Sequence, residues 1–218
     1  GFTILVSMSN ILNILGCSDI RIMPERIMEI ITGDKDVRDD IYRELIKAHG
    51  GDMSYEWFQG IYEAELSERK NKGQDFTNMA VAKMLFELDG EREGFIHEPT
   101  AGTGGLLIAY WWGLASKKLP WDFKPHTCII SCWELSDRSI PILLLNLSIR
   151  GIMGEVFHGD VLGNVAKARY VLINEYDDPL AFSDIVRDDS ILGYKVKDLL
   201  DRVMVPKQQD LFGKKTAL

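Results

Sequence analysis

Residues 98–105 read Glu98-Pro99-Thr100-Ala101-Gly102-Thr103-Gly104-Gly105, preceded by the apolar pair Phe95-Ile96 and followed by Leu106-Leu107-Ile108-Ala109-Tyr110-Trp111-Trp112. That order predicts a strand, a glycine turn and the start of a helix. Glycines allow positive φ and let a ligand lie against bare peptide, and an acid at the strand end can grip a polar group of that ligand. The stretch is not a phosphate loop, because no Lys follows the glycines, and it lacks the third glycine of a dinucleotide fingerprint. Alone it is a tight strand-to-helix turn; its neighbours along the chain give it more.

Upstream stands Gly73-Gln74-Asp75-Phe76-Thr77-Asn78, where Thr77 or Asn78 can cap a helix carrying Val81, Met84 and Leu85. Downstream, Ile129-Ile130-Ser131-Cys132-Trp133-Glu134 reads as a strand ending in an acid, and a long helix is expected over 137–150. Then come Phe157-His158-Gly159-Asp160-Val161-Leu162 and the apolar Tyr170-Val171-Leu172-Ile173, which ends at Asn174. In an open α/β sheet ligands bind outside the carboxyl ends of the strands, so Glu98, Glu134, Asp160 and Asn174 are expected to converge on one rim.

In order and spacing, roughly residues 55–180 resemble the N6-adenine DNA methyltransferases, most closely the modification subunits of type I restriction-modification systems. That family's pattern runs Gly-Gln-Phe-Phe-Thr-Pro, Asp-Pro-Ala-Cys-Gly-Ser-Gly-Gly, a Glu, Gly-Asp, and Asn-Pro-Pro-Tyr/Phe. The resemblance implies an α/β, Rossmann-like S-adenosylmethionine-dependent methyltransferase fold with a helical N-terminal extension. By the same resemblance, Glu98, Pro99, Thr100, Gly102, Thr103 and Gly104 would hold the methionine part of S-adenosylmethionine, and Glu134 the ribose hydroxyls. Asp160 and Val161 would flank the adenine, Phe76 and Thr77 would close the pocket, and Asn174 and Tyr176 would hold and stack the target base. A carboxylate suits a ribose diol, and an Asp can receive an exocyclic amine.

The chain departs from the pattern at the last motif, reading Asn174-Glu175-Tyr176-Asp177-Asp178-Pro179. Both prolines that would fix the turn are missing, Tyr176 arrives one residue early, and carboxylates crowd a place meant for a polyanion. Three readings stay open. One is an adenine-N6 DNA methyltransferase, and another is a catalytically inactive relative serving as a binding or regulatory module. A third is methylation of protein or RNA.

The remaining residues bound these readings. The chain has 218 residues and a formal charge of −8, which argues against a dedicated nucleic-acid surface while allowing a local one such as Arg69-Lys70-Asn71-Lys72. No segment has the length of apolar sequence that crosses a bilayer, and a cytoplasmic location is expected. Cys17, Cys128 and Cys132 lack metal spacing, the four histidines are scattered, and no metal site is expected. Helical spacing is read over 24–31, 37–48 and 54–67, and a short helix over 198–205. The expected organisation is a helical extension over 1–70, an α/β domain over 71–200 and a flexible tail over 201–218. No reader domain fits after Pro179, so DNA specificity is expected from a specificity partner or from small loops. The tail's Gln208-Gln209-Asp210-Leu211-Phe212 is similar to the peptide with which bacterial proteins dock on the sliding clamp, giving Gln208, Asp210, Leu211 and Phe212 as candidate contacts.

Overall fold

The computed structural model describes residues 7–58, 60–61, 94–163 and 165–191. The expected helix after Thr77, the 69–72 basic run, the 198–205 helix and the tail peptide lie outside these residues.

Three amphipathic helices lead the described chain: α1 (Met8–Leu15), α2 (Met23–Thr32) and α3 (Lys35–Ala48). Each start has a local cause. Ser7 caps α1 through Asn10 N, Pro24 sits in the first turn of α2, and Asp34 accepts from Asp36 N and Val37 N at α3. The helix expected over 54–67 is not continuous, because 52–58 form turns and bends in which Asp52 accepts from Ser54 N and Glu56 from Phe58 N. These side chains compete with the helical backbone for its own amides.

The sheet has five strands in the order β1-β2-β3-β4-β5: β1 (Gly94–Glu98), β2 (Cys128–Glu134), β3 (Met153–Asp160), β4 (Val165–Ile173) and β5 (Asp184–Arg187). The first three are parallel and joined through α4 (Gly105–Ala115) and α5 (Ser139–Ser148). β4 then pairs antiparallel with β3, and β5 antiparallel with β4. The cause is connection length. Residues 161–164 suffice for a hairpin, whereas placing a strand parallel in the same sheet takes a crossover of about a dozen residues or more. The fold is mixed α/β, with a parallel half and an antiparallel half.

Every residue of α5 is buried, because the helix contacts β3 and β5 on one side and α2 on the other. The N-terminal helices and the sheet share one apolar core, in which Ile11, Leu15, Ile27 and Tyr42 join Leu144, Leu147, Val156 and Leu172. Tyr42 Oη donates to Ser148 Oγ at 3.0 Å, and Ser148 Oγ donates to Ser183 O at 2.6 Å, so α3, α5 and the approach to β5 are pinned at one point. Cys128 and Cys132 are core residues, and burial pushes the Cys128 thiol up to about 12. Gly154 has φ +147°, and a Cβ there would stand 1.9 Å from Ile130 O, so this strand position admits no side chain. Among the described residues, no helix is long and apolar enough to cross a membrane.

Candidate functional site: a glycine loop on the carboxyl-end rim

The glycine loop joins the carboxyl end of β1 to α4 and is held from three sides. Glu98 Oε1 accepts from Thr100 N at 3.0 Å and from Thr100 Oγ1 at 3.2 Å, setting the first bend. Ala101 N donates to Trp133 O at 2.8 Å, which fastens the loop to the end of β2. Gly102 N donates to Glu134 Oε2 and Ser136 N to Glu134 Oε1, both at 2.7 Å, so one buried carboxylate braces two loops. Such charge-assisted bonds are roughly twice as strong as neutral ones.

Below the loop, Asn146 Nδ2 donates to Thr103 O at 2.8 Å and to Glu56 Oε1 at 2.7 Å. Arg150, fully buried one turn on, donates to Met53 O and Tyr55 O and lies 4.9 Å from the Trp57 ring centre. Burial pulls the Arg150 guanidinium down to about 10, while the Glu56 charge works against that shift. Sequence reasoning missed Asn146, Arg150 and Glu56. The signal was present for Asn146, a lone amide inside Ile142-Leu143-Leu144-Leu145-Asn146-Leu147, since a buried polar group must have a partner.

On the same rim, Asp160 Oδ1 accepts from Leu162 N at 2.9 Å, and Val161 packs on the stacked rings of Trp133 and Phe157, whose centres are 4.6 Å apart. His158 is the register partner of Glu134, and its Nε2 lies 2.8 Å from Asp137 Oδ1 without hydrogen-bond geometry. The structure thus brings Glu98, Pro99, Thr100, Gly102, Thr103, Gly104, Glu134, Asp160 and Val161 to one rim. Phe76 and Thr77 lie outside the described residues.

Asn174 does not join them, which corrects the expected convergence. Because β4 runs antiparallel, its carboxyl end lies where the parallel strands begin. Asn174 Nδ2 donates to Gly151 O, just before β3, at 3.2 Å and to Asp178 O at 2.7 Å, while Asn174 Oδ1 accepts from Asp178 N at 3.0 Å. The side chain is 3% exposed and latches its own turn. Tyr176, 81% exposed, stands beside it, and both line a cavity of about 490 Å³ whose other walls include Lys35, Arg43, Ile46 and Phe182. The two sets of candidate residues sit at opposite ends of the sheet.

A glycine loop braced by carboxylates at the carboxyl ends of parallel strands stands where ligands bind on an open α/β sheet. Residues 49–175 match the family model for the N-6 DNA methylase, and the chain belongs to that family. Members of this family use S-adenosylmethionine as methyl donor. A search of curated proteins returns no match.

The residues present suit that cofactor on one structural ground. Gly102 has φ +57° and a Cβ placed on it meets nothing within 4 Å, so its peptide faces open space, whereas a Cβ on Gly104 would stand 3.0 Å from Leu143 Cδ1. One glycine gives a ligand access, and the other lets α4 approach α5. Each oxygen of Glu134 accepts one backbone hydrogen bond and can accept another.

Proposed function

We propose that the chain is a Rossmann-like methyltransferase-fold protein that binds S-adenosylmethionine on the carboxyl-end rim. Its substrate on this reading is DNA, its methyl acceptor the N6 amine of adenine, and its place of action the cytoplasm. The observation that carries the reading is the pair Gly102 and Glu134: an open glycine peptide fixed by a buried carboxylate that keeps acceptor capacity. When bound, the cofactor supplies an electrophilic methyl group on a sulfonium. Residues 98–104 would flank its methionine part, Glu134 would accept from the ribose hydroxyls, and Asp160 with Val161 would border its adenine. Phe76 and Thr77 would close the pocket, and a specificity partner would select the DNA sequence.

One observation favours the second reading, a catalytically inactive binding module. In the family's motif the Asn side chain holds the target amine, but here Asn174 is engaged by Gly151 and Asp178 at the far end of the sheet. Tyr176 is then free of any stacking role beside the cofactor. On that reading the tail residues Gln208, Asp210, Leu211 and Phe212 would dock the protein on the sliding clamp.

Calorimetric titration with S-adenosylmethionine, paired with labelled-methyl transfer to genomic DNA, separates the two. Binding that weakens about tenfold in Glu134→Gln supports the cofactor site, in line with the loss of a charge-assisted bond. Binding with N6-methyladenine in the product supports the enzyme, and binding without transfer supports the module. No binding by a folded wild-type chain overturns the cofactor site.

A further inference from the structure

The turn after β4, at the end of the sheet opposite the glycine loop, is held in one shape from several directions. Asp177 N donates to Asn174 O at 3.0 Å, Leu180 N to Asp178 Oδ1 at 2.8 Å and Ala181 N to Asp178 O at 3.1 Å. From the segment before β2, His126 N donates to Asp177 Oδ1 at 2.8 Å, and His126 Nδ1 lies 2.6 Å from Asp177 Oδ2. Asp177 has φ +51°, among the described residues the one non-glycine position with positive φ, and such a backbone persists where its surroundings over-determine it. What this fixed turn displays is apolar. Tyr176 is 81% exposed and Leu180 68%, with Ile173 at 40% just before them. All three line the cavity of about 490 Å³, together with Ile46 of α3 and Phe182. Single exposed apolar side chains are ordinary, but a cluster of them around one cavity marks an interaction surface.

Charge decides what fits there. From Ile173 to Asp184 the sequence carries Glu175, Asp177, Asp178 and Asp184 and no Lys or Arg. The cations that α3 brings to this side are already matched: Lys35 Nζ lies 2.9 Å from Asp184 Oδ2, Arg38 Nη2 2.7 Å from Asp39 Oδ1 and Arg43 Nη1 2.7 Å from Asp40 Oδ1. Glu175 lines the cavity, exposed and without a cation partner among the described residues. Asp178, also exposed, uses one oxygen for the Leu180 amide and keeps its full charge. The unmatched charge beside the apolar cluster is therefore negative.

We propose that this cavity and its turn dock a basic peptide segment of a partner protein, with a Leu or Phe side chain entering the cavity and Lys or Arg residues on either side meeting Glu175 and Asp178. Apolar burial supplies the anchor, and the unmatched carboxylates select the sign of its flanks and reject an acidic segment. A small molecule filling the cavity would leave Tyr176 and Leu180 uncovered, whereas a peptide covers both. The surface stands apart from the glycine-loop rim and does not rest on the cofactor reading.

The test is fluorescence anisotropy of a labelled synthetic peptide pool, with Leu or Phe fixed at the centre and Lys or Arg on both sides, titrated with the full chain without cofactor. The basic pool binds, its affinity falls as salt rises, and a matched pool with Glu or Asp on both sides binds at least about tenfold more weakly. Ala at the centre of the basic pool, or Leu180→Ser in the protein, weakens binding about tenfold. Glu175→Lys narrows the preference for the basic pool. Leu180 and Glu175 are exposed, and both variants melt as the wild type does. A wild-type chain that binds neither pool overturns the proposal, as does equal binding of the two pools or unchanged affinity in Leu180→Ser. A Leu180-dependent dimer in sedimentation assigns the surface to a second copy of the chain, and pool binding that emerges only on deletion of residues 208–212 assigns it to the chain's own tail; either result overturns the partner peptide.

Discussion

Asn174 shows how a residue's chemistry is set by the direction of its strand. Its amide is satisfied on both ends by Gly151 and Asp178, so it works as a turn latch. Asn174→Ala should therefore lower stability by roughly 2 kcal/mol, the scale of several lost buried hydrogen bonds, and leave S-adenosylmethionine affinity unchanged. Chemical denaturation and calorimetry on the same variant check both halves. An affinity that falls with Asn174 would restore it to the cofactor rim. In the sequence, this residue was legible as a strand-terminal Asn, and only the family resemblance gave it the target base. That Glu98, Gly102 and Glu134 stand together at the strand ends was legible because a glycine turn between a strand and a helix has few geometries. The bracing bonds from Asn146 and Glu56 were not, since they join positions far apart in the chain.

Helices were easier to read than strand partners. Periodicity located α2 and α3 to within a few residues, because the apolar stripe that marks each is the face that packs, whereas α4 and α5 were marked by continuous apolar runs. Strand composition likewise marked β2 and β4, but it carries no partner information; the partner of β4 follows from the short 161–164 connection. The end of α3 supports a second prediction. His49 stacks on Trp57 with ring centres 4.1 Å apart, and its Nδ1 faces Leu45 O at 2.8 Å. Burial holds the His49 ring below its ordinary value, and burial does the same at His97. With the folded value depressed, the unfolded chain takes up protons first as pH falls through about 6.5, so stability present at pH 7 is lost toward pH 5. Thermal melts across that window should show a falling Tm whose slope is shallower in His49→Gln. An identical slope in the variant would remove His49 as a cause.

The protein as a whole combines a parallel half-sheet, which positions the glycine loop, with an antiparallel half that carries the family's last motif to the opposite end. Methyl transfer by the family's usual arrangement needs cofactor and target amine in contact, and an effective geometry places reacting atoms about 3 Å apart. The two ends of this sheet do not meet. The tail offers an independent measurement: deleting residues 208–212 should abolish binding to a sliding clamp in surface plasmon resonance if the docking peptide is real, and unchanged binding would eliminate it. Deletion should leave cofactor titration as it was.

Asn146 grips Thr103 O in the glycine loop and Glu56 in the segment after α3 with a single amide nitrogen. Loosening either side loosens the other, so the two share one opening equilibrium, and reciprocity requires that whatever closes one protects its counterpart. Trp57, seated between His49 and Arg150 in that segment, therefore acts as an optical gauge built into the protein. Its emission, and the exchange rates of the amides around it, should register what happens at a loop it does not touch.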